Sequence, residues 1–104
     1  MIIEMRTYNI KTGSLKTFID IYDKEIRETH VSILGNQIGF FYTEIGDLEQ
    51  VVHLYGYDNF EERQKRRKIL SENQQFKDYV LKVKDLILLQ SNKLLYPTNF
   101  SKIQ

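Results

Sequence analysis

Two histidines, seven tyrosines and no cysteine bound the chemistry open to this chain. The sharpest grouping lies in Val51-Val52-His53-Leu54-Tyr55-Gly56-Tyr57-Asp58, which reads as a β-strand. Alternation puts Val51, His53, Tyr55 and Tyr57 on one face, with Val52, Leu54 and Gly56 on the other. Histidine serves as a general base near neutral pH, and tyrosine positions or protonates an oxygen. Tyr8 belongs with this set, and so does Tyr42 on a neighbouring strand. Glu4 and Arg6 stand two apart on the face that carries Tyr8. Arg6 would grip a ligand carboxylate while Glu4 holds it in place. Arg63 and Arg67, one helical turn apart, form a structural or anion-binding pair.

Each grouping has a plainer structural reading beside it. His53 suits a hydrogen-bonded place in an interface, with tyrosines supplying bulk. Glu4 and Arg6 suit a buried salt bridge, shared with Arg63 or Arg67. The basic run Arg63 to Lys68 suits a solvated helix face, because Glu61 and Glu62 dilute its charge. His30, near the expected end of the first helix, has no partner at metal-ligand spacing. No phosphate loop, dinucleotide fingerprint, nucleophile elbow or metal cluster is present, so neither metal nor cofactor is expected.

The elements that must position these residues follow from periodicity. Ile2 to Ile10 alternates as a first strand, with Ile3, Met5 and Thr7 opposite Glu4, Arg6 and Tyr8. Ser14 is a candidate N-cap for an amphipathic helix running to about His30, carried by Leu15, Phe18, Ile19, Tyr22 and Ile26. Gly35-Asn36 stops it. Gln37 to Ile45 is a second strand, with Gly39 marking a bulge or a close approach. A short loop makes the His53 strand its hairpin partner. Asn59 with Glu62 resembles a capping box, and Ser71 to Gln74 interrupts the helix that follows. Phe76, Tyr79, Val80, Val83, Leu86 and Ile87 give a further helix, and Asn92 to Tyr96 a last strand before Pro97.

The order is β-α-β-β-α-β, an α+β ferredoxin-like protomer with a four-stranded antiparallel sheet. We expect one domain over residues 1–97 and a tail over 98–104. Such a sheet has one face under helices and one bare. Ile3, Met5, Val52 and Leu54 suit the helices, which would leave Glu4, Arg6, Tyr8, His53, Tyr55 and Tyr57 on the bare face. Gly56, on the covered face, would let a helix approach closely. So many aromatics left wet would be costly, and a second copy covering them makes a homodimer.

Composition narrows the classes further. Over 104 residues, 15 basic against 14 acidic side chains give a net charge of +1, which argues against a nucleic-acid partner. The longest aliphatic run near the end, Leu86 to Leu89, is far too short to insert into a membrane. With no N-terminal signal pattern, a cytoplasmic location is the expectation.

Met1-Ile2-Ile3-Glu4-Met5-Arg6-Thr7-Tyr8 resembles the opening signature of NIPSNAP-domain proteins. The resemblance continues from Thr43 through Asp58, through Arg63, Arg67 and Tyr79, to Asn92-Lys93-Leu94-Leu95-Tyr96-Pro97. It implies a dimeric α/β barrel and no settled activity, since relatives on that barrel include cofactor-independent oxygenases, isomerases and haem-handling proteins. The expectation is a homodimer with a pocket for a small organic ligand on the open sheet face. A cofactor-independent monooxygenase or isomerase using His53 as base is one alternative. A structural or interaction protein with no cavity is the other.

Overall fold

The computed structural model describes all residues, 1–104. Its elements are β1 (Ile2–Ile10), α1 (Leu15–Glu25), α2 (Arg27–Leu34), β2 (Asn36–Tyr42), β3 (Gln50–Tyr57), α3 (Phe60–Glu72), α4 (Gln74–Val83), a single 3-10 turn (Lys84–Leu86) and β4 (Ile87–Leu95). The four strands form one antiparallel sheet in the order β2-β3-β1-β4. This is the expected ferredoxin-like α+β arrangement.

Several boundaries differ from those the periodicity suggests. The first helical stretch is two helices, broken at Ile26, whose φ of −137° leaves the helical region. At the break Ile26 enters the core. β2 stops at Tyr42 instead of Ile45, because the hairpin loop begins at Thr43. β4 begins at Ile87, so Leu86 and Ile87 belong to the turn and the strand and not to α4. Ser14 occupies the N-cap position of α1, but its side chain makes no capping bond.

The larger correction concerns the faces. Helices cover the face of β1 that carries Ile2, Glu4, Arg6, Tyr8 and Ile10. Register places Tyr55 opposite Glu4, His53 opposite Arg6 and Val51 opposite Tyr8, so these β3 residues share the covered face. Tyr22 of α1 stacks on Phe40 of β2 at 4.5 Å between ring centres, and its hydroxyl reaches that of Tyr55. The bare face carries Ile3, Met5 and Thr7 with Val52, Leu54 and Gly56, the reverse of the expectation. Gly56 therefore faces no helix: a Cβ there would meet Met1 and Asn36 side chains. Gly39 does sit at a bulge, where the β2–β3 register shifts. The ring of Phe41 lies where its Cβ would be.

The apolar core under the helices is in two parts. One holds Ile10, Phe18, Tyr22, Ile26, Val51, Tyr79 and Val83. The other holds Ile2, Leu34, Tyr55, Tyr57 and Leu70. In three elements a polar side chain sits between the two parts: Glu4 and Arg6 between Ile2 and Ile10, His53 between Val51 and Tyr55, and His30 between Ile26 and Leu34.

α3 depends little on apolar burial, since Leu70 is its one buried residue. Its N-terminus is held by Asn59 Oδ1, which accepts from the Glu62 amide at 2.8 Å. Asn73 Oδ1 likewise accepts from the Phe76 amide at 2.9 Å and starts α4. Asn59→Ala and Asn73→Ala should each lower the unfolding free energy by about 1 kcal/mol. Urea denaturation checks this as a fall in midpoint at constant slope.

Candidate functional site

The covered face places a carboxylate, guanidinium groups and two imidazoles inside the protomer. Glu4 is 1% exposed. Its Oε2 accepts from Arg63 Nη2 of α3 at 2.6 Å, from Asn92 Nδ2 of β4 at 2.7 Å and from Arg6 Nη1 at 3.3 Å. Burial alone would raise its pKa. The bonds from Arg63 and Asn92 and the field of Arg67 outweigh that and hold Glu4 below the usual carboxylate range. Arg6 also donates from Nε to the Tyr8 hydroxyl at 3.0 Å. That hydroxyl lies 3.3 Å from His53 Nε2.

The second network joins α1, α2, β2 and β3. Gln37 Nε2 donates to the hydroxyls of Tyr55 at 2.7 Å and Tyr22 at 3.3 Å. Both hydroxyls stand 2.8 Å from His30 Nδ1. With Gln37 donating to both oxygens, the two hydroxyl hydrogens have one acceptor outside the pair, His30 Nδ1. The imidazole of His30 therefore carries its proton on Nε2. His30 stacks on Phe76, and its ring meets the ring of His53 edge-on at 6.0 Å. His53 stacks on Phe40 with the two planes 4° apart.

Between these networks and the helices is a cavity of about 230 Å³. Phe18, Tyr22, Phe40, Phe76, Tyr79 and Val83 supply aromatic and aliphatic walls, and Arg6, Tyr8, His30, His53 and Arg67 supply polar groups. The space lies inside one protomer, under the helices, and not on the open sheet face where the sequence suggested it.

The expected site residues separate accordingly. Arg6, Tyr8, His53 and Arg67 line the cavity. Glu4 sits behind them and anchors Arg6. Tyr55 and Tyr57 are buried in the second core part and do not line it. Tyr42, at the end of edge strand β2, is 58% exposed and lies outside it. Arg63 is bound to Glu4, whereas Arg67 forms no ion pair. The basic cluster therefore divides into one structural and one cavity-lining arginine.

In the sequence His30 is a solitary residue near the expected end of a helix. The structure places it in the middle of α2, buried and beside the other histidine. The signal that marks it is the i, i+4 series Ile26, His30, Leu34, which puts it in the centre of an apolar stripe. Tyr22, Phe40, Phe76 and Tyr79 also belong to the cavity, and read in sequence as ordinary core residues.

The NIPSNAP family model matches residues 3–102. The chain belongs to the NIPSNAP family. It is 29% identical over 94 residues to the NipSnap homolog of Dictyostelium discoideum, which covers 90% of this chain and 41% of that protein. The chain thus spans about two-fifths of the length of that relative. A NIPSNAP-family crystal structure from Agrobacterium tumefaciens is 36% identical, covers 99% of this chain and 98% of its own, and superposes with a TM-score of 0.96. The fold alone is shared with a dimeric ferredoxin-like protein from an uncultured marine organism, at 17% identity, 97% and 91% coverage and a TM-score of 0.73. It is likewise shared with an antibiotic biosynthesis monooxygenase, at 10% identity, 94% and 99% coverage and a TM-score of 0.65. No helix of the chain is long and apolar enough to cross a membrane.

Both imidazoles are held neutral. Burial, with the nearby Arg67 and Arg6 charges, lowers His30 from 6.5 to about 4. Burial, with the nearby His30 ring, which disfavours a second proton, and the Arg6 and Arg67 charges, lowers His53 from 6.5 to about 3. The folded values lie below the unfolded ones, so as pH falls the unfolded chain takes up protons first. Stability from these two groups is full above about pH 6.5 and is lost progressively toward their folded values. Between about pH 6.5 and 5 carboxylates stay largely ionised in both states. Across that window the proton uptake on unfolding should rise from about one to nearly two, shared equally between the histidines. Chemical denaturation across that range checks the slope, and His30→Gln and His53→Gln should each remove about half of it.

Proposed function

We propose that this NIPSNAP protein is a homodimer whose subunits each hold a small organic molecule in the cavity between sheet and helices. The observation that carries the ligand reading is the lining itself. Aromatic and aliphatic walls surround a few convergent polar groups, the usual composition of a small-molecule site. Arg6, Tyr8 and His53 are the polar contacts, with Glu4 holding Arg6 in place through the 3.3 Å contact. Arg67 adds a second guanidinium. Tyr55 acts from behind, through its bond to His30.

The dimer reading rests on the bare face. Ile3, Met5, Val52 and Leu54 lie there, joined by Phe41 of β2 and by Leu89 and Leu95 of β4, with Thr7, Ser91 and Lys93 among them. Burying such a patch against its own copy is the closed-symmetry solution. The dimeric ferredoxin-like neighbour supports it at the level of fold.

Binding suits the site better than base catalysis by His53. A histidine whose pKa is pushed down to about 3 is neutral at physiological pH but a weak base. A cofactor-independent monooxygenase or isomerase on this barrel would take negative charge onto Arg6 or a tyrosine hydroxyl. The shared fold with an antibiotic biosynthesis monooxygenase is the observation that favours keeping this second reading.

A small-molecule library screened by ligand-observed NMR tests the cavity. Binders of the wild type should lose saturation transfer in Val83→Phe, which fills the space. Hits that persist unchanged would place the ligand elsewhere. In any turnover assay, equal rates for wild type and His53→Ala would remove His53 from a mechanism. Light scattering should give the mass of two chains, reduced to one by Leu54→Glu on the bare face. A wild-type monomer at working concentration would overturn the dimer.

A further inference from the structure

We propose that the cavity selects an organic anion, a carboxylate on a single-ring or similarly compact apolar body, with Arg67 as its counter-charge. This rests on the ligand reading above and names the class of molecule. The lining includes Arg6, Arg67 and Lys84 and no Asp or Glu. The nearest buried acid is Glu4, and both its ion pairs go to other residues, Arg63 at 2.6 Å and Arg6 at 3.3 Å. One carboxylate thus stands among three guanidinium groups, and Arg67 is the one left without an ion pair. A half-buried cation with no ion-pair partner is costly in a low-dielectric site, and an anion bringing its own charge relieves that cost.

The neutral groups favour the same ligand. Both imidazoles are uncharged, so they contribute hydrogen bonds without competing for the anion. His30 has Nδ1 occupied by two tyrosine hydroxyls, which leaves Nε2–H as a donor with no protein partner. Arg6 binds the protein through Nε and Nη1, which leaves Nη2 without one. A site rich in unpaired donors and poor in acceptors matches a carboxylate, and the planar guanidinium matches it in two bonds at once.

The size fits a small body. A cavity of about 150 Å³ takes one benzene, and here about 230 Å³ is available. Phe40, Phe76 and Tyr79 provide ring faces for such a body.

Isothermal titration of the full chain with benzoate, phenylacetate and cinnamate, each against its primary amide, tests the assignment. At least one acid should bind roughly ten- to a hundred-fold tighter than its amide, the range expected of a charge-assisted pair. Arg67→Gln should abolish that preference while leaving amide binding in place, and Arg67→Lys should keep most of it. Amides binding as well as acids would overturn the anion assignment and leave the cavity as a ligand site. A preference that survives in Arg67→Gln would overturn Arg67 as the counter-charge. If neither acids nor amides bind, and neither shifts the NMR signals of His53 or Tyr8, the assignment and the ligand reading fall together.

Discussion

The buried Glu4 carboxylate is the interaction on which the interior of this protein depends. It is charged, nearly inaccessible, and shared by three chain segments distant in sequence. Desolvating a carboxylate costs several kcal/mol, and that cost is met only when geometry and donors are good. Here Arg63 brings α3 onto the sheet, Asn92 fastens β4 to β1, and Arg6 is turned along its own strand. α3 has almost no apolar stripe of its own, so this contact and that of Arg66 with the Ile33 carbonyl at 3.1 Å dock it. All three donors use Oε2, while Oε1 makes no hydrogen bond. The carboxylate thus has spare capacity as an acceptor in the centre of the fold.

The interior is inverted relative to a common sheet protein. Polar and aromatic side chains lie beneath the helices, and the face with Ile3, Met5, Val52 and Leu54 is the one left bare. Three of the buried polar residues find partners on other elements: Glu4 on α3 and β4, Tyr55 on α1, α2 and β2, and His53 on β1. Hydrogen bonds between elements thus fix the inner face of the sheet.

The two networks also shape the cavity. Gln37, Tyr22, Tyr55 and His30 hold one wall in place through shared hydrogen bonds. Glu4, Arg6, Tyr8 and His53 hold the adjoining wall. Phe40 and Phe76 stack on the two imidazoles and limit their rotation. A space bounded by side chains locked in this way keeps its polar groups in fixed positions.

Much of this was legible in the sequence. The opening Ile3-Glu4-Met5-Arg6-Thr7-Tyr8 and the Val51 to Asp58 strand carry the NIPSNAP family and the strand alternation. Asn59 announces the start of α3, Gly39 the bulge, and element order the ferredoxin-like topology. These are local facts, set by side-chain period, capping and backbone preference. Which face of the sheet the helices cover was not legible. Alternation defines two faces without ranking them, and both faces of β1 and β3 carry enough apolar area to be buried. The partners that make Glu4, His53 and Tyr55 acceptable inside come from Arg63, Asn92, His30 and Gln37, residues far off in the chain. The sequence alone therefore determined the family, the elements and the sets of residues that travel together. Only the tertiary structure decided which set faces inward, because that choice depends on hydrogen bonds and ion pairs between segments that meet after folding.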